Sequence, residues 1–171
     1  MSTSSSILSR ADPTVGEPHE PDPAVVLESY AAALADGVAE ALPSWVVSSV
    51  AKVMSAWAGH TPPDVTEAAE AAASRAVREI VPAIRDLLRA DVDEQRTTPL
   101  ELVRSALRYP TEVLRAAGVA PVERDAFAEA AFPDDVYNLA PASFADLDPT
   151  LGEAALRWGA AKAFEHKRRH R

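Results

Sequence analysis

None of the 171 residues is cysteine, which excludes disulfides, thiolate metal sites and cysteine nucleophiles together. Glycine is scarce, six residues spread singly, so there is no glycine-rich loop to cradle phosphates and no Gly-x-Ser-x-Gly elbow to expose a catalytic serine. Aromatic residues are only 6% of the chain, too few for a thick aromatic core. No run of about eighteen apolar residues offers a membrane span. The opening Met1–Arg10 lacks the basic stretch and apolar run of an export signal. These absences lead to the expectation of a cytoplasmic protein with no membrane partner, no cofactor and no metal.

Hydrophobic residues make up 47% and charged residues 25%, an ordinary globular balance, and the length suits one domain with a tail. Much of the apolar content is alanine, which buries little area but has the highest helix propensity. Charge is unevenly placed. Lys162, Lys167, Arg168, Arg169 and Arg171 stand against Glu165 alone, a net of 5 − 1 = +4, so the preceding 161 residues carry −9 − 4 = −13. An acidic body repels phosphate backbones and leaves the basic end as the one place for nucleic acid.

Proline, glycine and capping residues divide the chain into a disordered tail (1–22), an N-terminal helical part (23–90), a polar hinge (91–98) and a C-terminal helical part with a basic end (99–171). Asp22-Pro23 opens a first helix, which Pro43 is expected to close. Ser44 then caps a second helix with Val46, Val50, Val53 and Trp57 on its core stripe. After Gly59–Pro63 a longer helix carries Val65, Ala69, Ala72, Ala76, Ile80 and Leu87 on one face, with Pro82 expected to kink or divide it. Its alanine face suits self-association as well as internal packing.

Thr98-Pro99-Leu100-Glu101 has the pattern of a capping box. A helix through Leu107 follows, then a short one over Glu112–Ala117 ended by Gly118 in the left-handed conformation, and another near Val122–Ala131. Residues 133–149 read as an irregular segment anchored by apolar side chains, with one helical turn after Ser143. Asp148-Pro149 opens the last helix. Leu151, Ala155 and Trp158 lie on one of its faces and Leu156, Ala160 and Ala163 on another, which points to a central, buried helix. No strand-length alternation occurs. The fold expected is all-α: an irregular helical bundle of about five to seven helices behind a disordered N-terminal tail.

Few residues carry chemistry. His166 and His170 have the i, i+4 spacing of a metal pair, but cations crowd them and Lys167 stands where a metalloprotease needs glutamate. Leu114–Arg124 is similar to a helix-turn-helix core, yet the interval after Gly118 is short and Pro121 sits where a second helix would start. Asp134, Asp135, Asp146 and Asp148 form a carboxylate cluster without the spacing of a calcium loop. Three functions are therefore weighed. The first is a non-catalytic protein-protein interaction module, an adapter or regulator, with Lys162, Lys167, Arg168, Arg169, Arg171, Phe132 and Tyr137 as partner-binding residues. The second is a nucleic-acid-associated factor using the basic end. The third is a small helical enzyme with an acidic loop site at Asp134, Asp135 and Tyr137.

Overall fold

The computed structural model describes residues 22–90 and 97–171. The expected tail and most of the expected hinge lie outside those residues. Asp22 accepts a hydrogen bond from the Ala24 amide (3.0 Å), and Pro23 fills the first turn, where a missing N–H costs nothing. From there α1 runs unbroken over Pro23–Ala58, about 54 Å at 1.5 Å per residue. It stops at Gly59, whose φ of 79° closes the helix in the left-handed region.

Pro43 does not end α1, contrary to the sequence expectation. Ala31, Leu34, Ala35, Val38 and Leu42 are buried, and Val46, Ser49, Val50, Val53 and Met54 continue their stripe in phase. Breaking the helix would bring half of that stripe out of register with the core. The proline forfeits a single backbone bond, while burial is distributed along ten positions.

α2 covers Pro63–Arg89 and likewise runs on through the exposed Pro82. It returns antiparallel to α1, as two exposed ion pairs record: Arg85 to Asp36 (3.0 Å) and Arg89 to Glu28 (2.7 Å). Such pairs mark register and contribute little energy. Ala69, Ala72, Ala73 and Ala76 are all buried against the chain's own core. The alanine face that sequence left open to self-association is thus covered internally, and its small side chains let the helices pack closely.

The expected capping box opens α3 (Pro99–Arg104), with Thr98 and Glu101 exchanging hydrogen bonds of 3.2 and 3.0 Å. A 3₁₀ turn, Ser105–Leu107, leads into α4 (Arg108–Ala116). That helix starts earlier than expected because Pro110 falls in its first turn, where proline is tolerated. Gly118 follows with φ 76°. α4 lies antiparallel to α2, held by Arg108 to Glu79 (2.9 Å) and Arg75 to Glu112 (3.1 Å). Between them the ring of Tyr109 is buried while its hydroxyl donates to Glu79 and accepts from Arg108.

Beyond Val119 the chain is irregular apart from α5 (Ala126–Ala131), capped by Asp125, and a 3₁₀ turn at Phe144–Asp146, the turn expected after Ser143. α6 (Pro149–Arg169) opens on Asp148, which accepts from the Thr150 amide. It packs antiparallel to the first half of α1: Leu151 lies against Gly37, and Phe164 shares a groove with Pro23. Trp158 Nε1–H donates to the Leu88 carbonyl and Lys162 Nζ to the Ala90 carbonyl, tying α6 to the end of α2.

The central helix is therefore α1, touched by α2, α4 and α6. α6 was expected in that place and is peripheral instead. Leu151 and Trp158 turn inward, whereas Leu156 is 76% and Phe164 60% exposed. Among the described residues there is no strand, and no helix is long and apolar enough to cross a membrane. The fold is all-α.

Candidate functional site

The residues singled out from sequence fall into two regions. In the irregular segment, Tyr137 is buried, its hydroxyl donating to the Val119 carbonyl at 2.7 Å, and loss of solvent raises its pKa. It clamps the segment to the core, and its remaining surface faces a concavity shared with Trp57 and Val119. Phe132 stays at the edge, with the Arg104 guanidinium 5.4 Å from its ring centroid. Arg104 also donates to the Pro141 and Ala142 carbonyls, and Arg124 donates to the Phe132 carbonyl. Phe132 thereby belongs to the staple that holds the loop.

Three of the four carboxylates of this segment are committed to backbone. Asp135 is buried and accepts from the Leu139 and Ala140 amides at 2.6 and 2.8 Å. Asp146 accepts from Ala142 and Ser143. Asp148 caps α6, and the Thr150 hydroxyl and amide hold its pKa below the usual carboxylate value. Asp134 is exposed. Among the described residues no group of three or more His, Asp or Glu is placed to hold a metal ion.

The second region is the basic end. Glu165 is 5% exposed. Arg168 forks onto it through Nε (3.1 Å) and Nη2 (2.9 Å), and Arg169 Nε joins at 3.2 Å. The Arg168 hydrogen bonds, with Arg169 adding to them, lower the Glu165 pKa and reciprocally raise that of Arg168. Lys162 is engaged with the end of α2, where a cation meets the negative end of the helix dipole. Three of the five basic residues thus build structure, while Lys167 and Arg171 lie exposed at the end of the helix. The rings of His166 and His170 lie tilted to one another by 57°, their centroids 4.4 Å apart.

What the basic residues adjoin is more informative than the residues themselves. Leu156, Ala160, Ala163, Phe164, Lys167 and Arg171 are all exposed and follow i, i+4, i+7, i+8, i+11, i+15. Within the helix that spacing aligns the first five along one outward stripe, apolar for two turns and then cationic at Lys167, and Arg171 follows just past the helix end. Beside the stripe a groove of about 420 Å³ runs between α1 and α6, lined by Pro23, Val26 and Tyr30 on one wall and Arg157, Ala160, Ala161 and Phe164 on the other. No family model, curated protein or solved structure matches the chain.

A second concavity, about 500 Å³, lies at the far end of α1 between Lys52, Val53, Trp57 and the segments 119–123 and 137–139. Trp57 was expected on a core stripe but is 52% exposed at this mouth, because the stripe outruns the helices that cover it near Gly59. Phe127 on α5 is exposed as well. Phe127 was not singled out from sequence, and Trp57 was placed there in the core because its helical spacing does not distinguish it from a core aromatic.

Proposed function

We propose that this protein is a non-catalytic protein-protein interaction module, an adapter or regulator, whose docking face is the outward side of α6. One observation carries the reading: Leu156 and Phe164, two turns apart, stand exposed on the same line that continues into Lys167, with Arg171 exposed just past the helix end. Each large apolar side chain gains about 1.5–3 kcal/mol when fully covered, and apolar groups rimmed by charge are the usual composition of a partner surface. Leu151 and Trp158 already anchor α6 on the other side, so the exposed side chains are not needed to attach the helix.

The test is capture from cell extract with gentle crosslinking, comparing the wild type with a Leu156→Ser/Phe164→Ser double variant. Because both side chains are exposed, the variant is expected to keep its circular dichroism and melting temperature. The wild type should retain a defined protein that the variant loses. Equal retention by both would reject the α6 face. Nucleic acid in the eluate, released by salt and by deletion of residues 165–171, would instead favour the phosphate-binding function of the basic end.

A further inference from the structure

Resting on that reading of α6, we infer that the occupant of the face is an acidic amphipathic helix supplied by a partner protein, seated in the groove between α1 and α6. Arg157, Ala160, Ala161 and Phe164 are spaced i, i+3, i+4, i+7, the four-residue diamond that forms the hole for a side chain borne on another helix. Pro23, Val26 and Tyr30 on α1 are spaced i, i+3, i+7 and form the opposite wall. Two antiparallel helices presenting such rows leave a trough that a third helix fills, its apolar side chains entering at i, i+3, i+4 and i+7. The two alanines make the trough deep at its centre, and Phe164 and Tyr30 bound it.

Charge complementarity selects the sign of that helix. Residues 151–171 hold six Lys and Arg against two Glu, 6 − 2 = +4. Arg157 lies in the groove wall, ion-paired with Glu153 at 2.5 Å, and Arg168 is bridged to Glu165 with Asp22 nearby, which leaves Lys167 and Arg171 as the exposed cations where the groove runs out. A ligand helix flanked by glutamates gains from these cations at close range, whereas a lysine-flanked helix is repelled; the effect weakens as salt shortens the screening length.

The experiment titrates the full chain with two synthetic eighteen-residue helices that share leucines at i, i+3, i+4, i+7 spacing and carry either glutamate or lysine at every other position. The glutamate peptide is expected to bind about tenfold or more tightly than its lysine twin, to weaken with added salt, and to lose about tenfold with Phe164→Ser. Equal binding of the twins, or preference for lysine, overturns the charge inference while leaving α6 a docking face. If neither peptide binds and sedimentation shows a dimer dissociated by Phe164→Ser, a second copy is the occupant and the inference falls. Absence of both peptide binding and dimer also overturns it, and capture of a Phe164-dependent protein from extract in that case would show that the face stands without the helix chemistry assigned here.

Discussion

Gly37 and Leu151 set how closely α6 approaches α1, and their coupling can be worked from the geometry. A Cβ placed on Gly37 would lie 2.4 Å from Leu151 Cδ2, far inside the roughly 3.5–4.0 Å of a favourable carbon contact. In an interior helical position, Gly→Ala by itself stabilises by about 1 kcal/mol. Here that gain is opposed by overpacking, which costs about 1–3 kcal/mol, because Leu151 is only 4% exposed and is held in the core. Gly37→Ala is therefore expected to destabilise by about 1 kcal/mol in the native background. Leu151→Ala removes the offending methyl and costs about 2–4 kcal/mol as a buried truncation. In that background Gly37→Ala should reverse sign and stabilise by about 1 kcal/mol, a coupling of about 2 kcal/mol. Urea denaturation of the four proteins, followed by far-ultraviolet circular dichroism, measures the cycle. Additivity within about 0.3 kcal/mol, or full stabilisation by Gly37→Ala alone, would refute the close approach.

Further outcomes follow from the same structure. Pro43→Ala should stabilise by about 1–3 kcal/mol in the same denaturation assay, since α1 is continuous there and alanine restores the missing amide. Asp135→Ala strips two backbone amides of their acceptor in a half-buried loop and should cost about 2 kcal/mol, with faster hydrogen exchange at Leu139 and Ala140. Stability should fall in acid: Glu165, Glu79 and Asp148 all have folded pKa values below their ordinary 4.5, 4.5 and 3.8. For depressed carboxylates the contribution is complete above the unfolded value and is lost as pH falls through the folded one, so the melting temperature should hold down to about pH 4.5 and drop below it. A Glu165→Gln variant should show a shallower drop.

The parts of the fold written in local chemistry were legible beforehand. Asp22-Pro23, Thr98 with Glu101, Gly118, and Asp148-Pro149 mark helix ends in the structure as they do in the sequence, because a cap is settled by neighbours within three residues. Pro43 misled for the opposite reason: its local cost is offset by core contacts from residues distant in sequence. For α6, periodicity showed two apolar faces but could not say which one the bundle covers. That depends on Trp158 reaching Leu88 and Leu151 reaching Gly37, contacts that span 70 residues or more. The basic end was visible as charge, yet the commitment of Arg168 and Arg169 to Glu165 and of Lys162 to Ala90 was not, and it shifted the candidate site toward Leu156 and Phe164.

The central claim, that the outward face of α6 is a docking face, is tested most directly by a photo-crosslinking amino acid placed at Ala160 in the living cell, with Ala71 on the exposed side of α2 as its control. A discrete crosslinked protein at position 160, absent at 71 and lost with Phe164→Ser, is the result predicted. Identical patterns at the two positions, or no adduct at 160, would contradict it.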